Sequence, residues 1–201
     1  MAPSIYYICG KCNQIEPASR WAEEVNGEIK CSHCQTANER YAWPSTEVID
    51  LLTFVRSYPD DSPEYGRVAS VFASSVLELM LEELVTKMAY EDLSYEQGEM
   101  LINALLAGYQ GRSRLFALYK RIGYGSFHEA VNELGHSELL GNWDAIVAVR
   151  NKVVHGKLRE RAEISHSLIE KTLDDALVVF YLLHNRYNKE SIEYRYATKA
   201  K

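Results

Sequence analysis

Cysteine is absent from the last 167 of the 201 residues; all four lie at positions 9, 12, 31 and 34. No apolar run approaches ~18 residues, so no membrane span is expected. The opening MAPSIYYICGKC lacks a basic stretch followed by an apolar one, so no export signal is expected and a cytoplasmic location follows. Excess positive charge is missing too. The formal net charge is −6, which excludes a chain that coats nucleic acid by bulk attraction. There is no internal repeat, no low-complexity tract, and no alternating β-branched run after residue 45. With 47% hydrophobic and 25% charged residues, the chain can bury a core and is not of disordered composition.

What charge there is lies unevenly. Residues 63–100 hold eight acids against two bases, and residues 110–161 hold nine bases against five acids. Mixed surface helices account for this as readily as a polyanion partner does.

Three regions are expected: 1–44, 45–190 and a polar, loose tail at 191–201. The first contains Cys9-Gly-Lys-Cys12 and Cys31-Ser-His-Cys34, two tight knuckles. Tyr6 to Ile8 and Glu28 to Lys30 read as short strands leading into them. Two close pairs without an export signal favour metal over disulfides or a redox pair. Four thiolates suit one structural Zn2+ per chain, so Cys9, Cys12, Cys31 and Cys34 are the expected ligands. So small a piece would draw much of its folding energy from the metal.

From Ser45 or Thr46, either of which can cap a helix, the periodicity is helical. Val48, Leu51, Leu52 and Val55 mark a first helix. A long helix from Pro63 to Glu91 has Val68, Val71, Phe72, Val76, Leu79, Met80 and Leu84 as its expected inner stripe. Further helices are expected from Ser94 to near Gly108, over Ser113–Ile122, briefly within 124–136, over Leu139–His155, and from Ile164 to about Tyr187. The fold class is therefore mainly α: an up-and-down helical bundle with a small N-terminal zinc-ribbon module.

The helix WDAIVAVRNKVVHG ends in Arg150, Asn151 and His155, followed by Gly156, which suits a left-handed C-terminal position. Polar groups among Ile146, Val147, Val149, Val153 and Val154 need partners if buried. The cluster is thus either a satisfied structural knot or a site. Asn151 and His155 are four apart and share a helix face. The negative helix end favours a cationic His155. An imidazole for proton transfer, a guanidinium for a phosphate and an amide as orienter suit RNA cleavage without a metal. His128 and His136 do not match a zinc-protease spacing and are expected at the surface.

RNKVVHG at the end of an amphipathic helix resembles the HEPN superfamily, whose ribonuclease members carry Arg, often Asn directly after it, and His a few residues on. ASSVLELMLEELVTKM resembles that family's earlier long helix, with Glu78 as the counterpart of a pocket-facing acid. Over about 46–190, the resemblance implies a HEPN-like bundle, a homodimer with its active site at the interface, and a metal-independent endoribonuclease. Its product would be a 2′,3′-cyclic phosphate. The resemblance also implies toxin or antiviral-defence roles and, in toxin systems, a protein antitoxin. The alternative is a non-catalytic zinc-ribbon adaptor that dimerises and binds RNA or protein.

Overall fold

The computed structural model describes residues 6–9, 15–17, 22–23, 29–31, 34–35, 40–90, 111–122, 125–156 and 164–199. Of 6–9, 15–17, 22–23, 29, 40–43, 46, 89–90 and 185–199 only the backbone path is described. Among the described residues the N-terminal part carries five short strands: β1 (Tyr6–Cys9), β2 (Ile15–Pro17), β3 (Ala22–Glu23), β4 (Ile29–Lys30) and β5 (Arg40–Trp43). β1 is central in an antiparallel sheet of order β2-β1-β5, with Tyr6 opposite both Pro17 and Trp43. β3 and β4 pair separately. The strands expected at Tyr6 and Ile29 are present. β2 and β5 carry no alternation long enough to announce them.

Six helices follow among the described residues: α1 (Thr46–Ser57), α2 (Tyr65–Tyr90), α3 (Arg112–Ile122), α4 (Phe127–Glu133), α5 (Glu138–Val154) and α6 (His166–Lys199). They form the expected mainly helical bundle. The helix expected between Ser94 and Gly108 lies outside the described residues.

Helix ends follow local chemistry. Ser45 is the N-cap of α1 and accepts from the Val48 N–H. Ser126 and Glu129 form a reciprocal capping box on α4, which satisfies two orphan N–H groups of a very short helix. α5 closes at His155, and Gly156 adopts φ +70° as expected.

α2 lies at the centre, packing against α1, α3, α5 and α6. Its buried face is Ala69, Ala73, Val76, Leu77, Met80, Leu81, Leu84, Val85 and Met88. Of the expected stripe, Val76, Met80 and Leu84 are buried; Val68, Val71, Phe72 and Leu79 are half-buried. A helix apolar on nearly every side has no single face for periodicity to find. Trp143 of α5, Tyr119 of α3, Phe127 of α4 and Phe180 of α6 complete the core.

The last helix also departs from expectation. Its backbone continues to Lys199, through a tail expected to be loose. No Gly or Pro interrupts SIEYRYATK, and Glu, Arg, Ala and Lys are good helix formers.

Candidate functional site

α5 places the Arg150 group. Its buried side chains are Leu139, Leu140, Trp143 and Ile146. Arg150 stands four residues after Ile146 and seven after Trp143, so it continues the core-facing stripe where the bundle ends. The side chain is half-buried. Its Nη1 donates to the Asn151 Oδ1 at 3.0 Å. Among the described residues no carboxylate pairs with this guanidinium. The Asn151 carbonyl oxygen accepts from the His155 N–H at 3.0 Å. His155 itself is exposed, and so is Val154 beside it at 55%.

Asn151 therefore orients the guanidinium through its side chain and tethers His155 only through its backbone. The sequence suggested that its amide would fix the imidazole. The structure brings together Arg150, Asn151 and the His155 backbone within less than two helical turns. It does not join Glu78 to them. Glu78, half-buried on α2, accepts from Ser74 Oγ at 3.5 Å, and no hydrogen bond or ion pair links it to the trio among the described residues.

A groove of about 550 Å³ runs between α5 and α6, lined by Ala145, Val149, Ile164, Ser165 and Leu168. Its one polar side chain, Ser165, is committed to the Leu168 N–H at 3.2 Å and to Ser167 at 3.1 Å. Val149 is turned about 160° from Asn151 around the helix axis. The groove is thus separate from the Asn151–His155 face and offers little polar grip.

The zinc centre requires correction. A structural zinc needs four donors converging on one point at about 2.0–2.3 Å. Among the described residues no group of three or more His, Cys, Asp or Glu side chains is placed to hold a metal. Cys31 is fully buried and Cys34 half-buried, and the Cys31 carbonyl oxygen accepts from the Gln35 N–H at 2.9 Å. Cys12 and the Cys9 side chain lie outside the described residues. The four-cysteine zinc ribbon, and Zn2+ as cofactor, are not retained.

Polar groups the sequence did not single out form a brace between α1, α2 and α6. Arg56 bonds Asp174 at 2.6 Å and meets Glu170 at 3.3 Å. The Tyr65 hydroxyl lies 2.8 Å from His166 Nδ1. Burial, with Glu170 and Asp60 adding repulsion, pushes the Tyr65 phenol up to about 12. More than 100 residues separate these partners, so no spacing could have announced them. His184 of α6 is buried, and burial together with the Lys87 charge holds its ring well below the usual imidazole range, hence neutral. His136 lies 3.4 Å from Asp175, half-buried where a surface position was expected.

The site defines a class no narrower than a helical-bundle protein with an Arg–Asn–His helix terminus. No family model, no curated protein and no solved structure matches the chain. Assignment to the HEPN superfamily with an N-terminal zinc ribbon does not stand: no family model matches it, and the described residues gather no metal ligands. The toxin and defence roles it implied fall with it. Among the described residues no helix is long and apolar enough to cross a membrane.

Proposed function

We propose that the chain is a metal-independent endoribonuclease whose reacting groups are His155 and Arg150. One observation carries this reading. A half-buried guanidinium stands at the bundle end with a neutral amide as its hydrogen-bond partner, and an exposed imidazole follows on the next turn. A half-desolvated cation without a paired carboxylate favours an anionic ligand.

In the proposed reaction His155 takes the proton from a ribose 2′-OH. The 2′-oxygen attacks the adjacent phosphorus, and the bond to the 5′-oxygen breaks. That oxygen leaves with a proton from a second imidazole, giving a 2′,3′-cyclic phosphate and a 5′-OH. Arg150 binds the non-bridging oxygens and stabilises their growing charge. Asn151 positions Arg150. Glu78 has no part in these steps.

A second imidazole calls for a second chain. Two copies related by a two-fold axis place two Arg150–His155 sets around one phosphate. Val154, apolar and exposed between the two reacting residues, suits a covered interface better than open water. The cytoplasmic location expected from the sequence suits this reading, since RNA is met there.

The test is cleavage of mixed RNA by the purified chain in EDTA, with termini assigned by mass. His155→Ala should lower the rate by about 10²–10⁴-fold, the usual contribution of a positioned acid or base. Wild type cutting no faster than His155→Ala across several RNAs would remove the proposal. RNA that stays intact yet bound would point to a non-catalytic RNA-binding protein instead.

A further inference from the structure

Two large apolar side chains are exposed among the described residues, Val154 and Phe54. Val154 belongs to the proposed reaction site; Phe54, on α1, has no part there. Its ring lies 4.5 Å from that of Phe72 on α2 and 6.0 Å from that of Tyr58, centroid to centroid. Leu51, Phe54 and Tyr58 are spaced by three and four residues and share one face of α1. Leu51, Tyr58 and Phe72 are half-buried against the core. The four side chains form an apolar strip over about 10 Å of α1. The fold does not call for it: Val48, Leu52 and Val55 supply the buried side of α1, while Phe54 stays 41% exposed.

Charge around the strip is of one sign. Glu47 and Asp50 precede Phe54 by seven and four residues and extend the same face. Asp60 and Asp61 follow Tyr58 in the turn into α2. All four acids are exposed, and none forms an ion pair among the described residues. The cations of α1 and α2 are engaged elsewhere: Arg56 with Glu170 and Asp174, Arg67 with Glu64, and Lys87 beside buried His184. At the upper end burial raises the Glu83 pKa, and repulsion from Glu47 and Glu82 adds to this. Acid thus stands near acid with no cation between.

The two observations together select the occupant. A second copy docking here about a two-fold axis sets acids against acids. The phosphates of RNA or of an anionic membrane are repelled in the same way. The partner that complements both strip and rim is a helix with an apolar ridge two or three turns long and Lys or Arg on either side. Such cations gain further from the faces of the Phe54 and Tyr58 rings.

We propose that the α1 face centred on Phe54 docks a basic amphipathic helix of another protein. This surface depends neither on RNA as substrate nor on Arg150 and His155. The probe is a fluorescein-labelled peptide of two KLAKLAK heptads, with a counterpart carrying Glu in place of each Lys. Fluorescence anisotropy is measured with the full chain at low and at physiological salt. The basic peptide should bind and the acidic one should not. Phe54→Ser should weaken the basic peptide about tenfold, as loss of a central anchor does. Asp50→Lys should weaken it about threefold at low salt, the scale of an exposed charge pair, and less at higher salt. Both changes leave the buried side of α1 intact, which thermal melts check. Glu190→Gln with Glu193→Gln removes two acids from α6 and should leave binding unchanged.

Equal binding of the two peptides, equal loss in the α6 control, or no binding of the basic peptide by wild type would each overturn the proposal. Unchanged binding by Phe54→Ser or by Asp50→Lys would do so as well. A wild-type dimer that Phe54→Ser dissociates would also overturn it, since a second copy would then cover the face. Loss of peptide binding in Phe54→Ser while RNA cleavage continues at the wild-type rate would retain both this surface and the nuclease. Peptide binding by a wild type that cuts nothing would retain the surface alone.

Discussion

Burying a single carboxylate shows how this molecule responds to pH. Glu83 of α2 accepts the Ser45 N–H at 3.1 Å and so ties the start of α1 to the central helix. Burial raises its pKa, and the bonds from Ser45 offset this only in part. The folded chain thus holds this proton to higher pH than the unfolded chain does. Between the two pKa values the native state binds more protons, so stability falls as pH rises from the ordinary carboxylate range through the folded value. A glutamine keeps the acceptor oxygen without the charge. Glu83→Gln should therefore raise the denaturation midpoint at pH 7 and have little effect at pH 4, measured by urea titration at both. A variant less stable at pH 7 than at pH 4, relative to wild type, would contradict the burial account.

At the scale of elements, α5 carries the residues of the proposed reaction, and its last turn depends on Gly156. With φ at +70°, that residue adopts a conformation that costs a side chain roughly 1–2 kcal/mol. A Cβ there meets no atom of the described residues within 4 Å, so among them the cost is conformational and not steric. Gly156→Ala should destabilise by about 1 kcal/mol, while Gly156→Asn, which tolerates the left-handed region, should cost less. Thermal melts of the pair give the comparison, and equal losses would show that the turn rearranges. Where RNA is cut, the same pair should rank alike in rate, because the turn sets the exit of the chain beside His155.

For the whole molecule the decisive question is how many copies act together. Arg150 and His155 from one chain supply one guanidinium and one imidazole, and the proposed cleavage uses a second proton donor. Val154→Asp puts a charge on the exposed apolar position between them without touching the core. Analytical ultracentrifugation should show the wild type dimeric at micromolar concentration and the variant shifted to monomer, with cleavage lost in proportion. A wild type that sediments as monomer while cutting RNA would remove the shared site and leave water as the proton donor.

Local chemistry alone determined much of this protein. The helical periodicity after residue 45, the Ser45 cap, the left-handed Gly156 and the shared face of Asn151 and His155 all follow from interactions within a few residues, which spacing encodes directly. Tertiary structure decided the rest. Only packing shows that α2 is enclosed on most sides, because a helix apolar all round has no stripe to read. Only packing joins Arg56 to Glu170 and Asp174 across more than 100 residues, whereas the bonds of Arg150 to Asn151 and of Ser74 to Glu78 stay within a helical turn. The cysteine pairs mark the same boundary: a C-x-x-C spacing brings two sulfurs together locally, but a metal centre exists only where distant side chains converge, and none does so among the described residues.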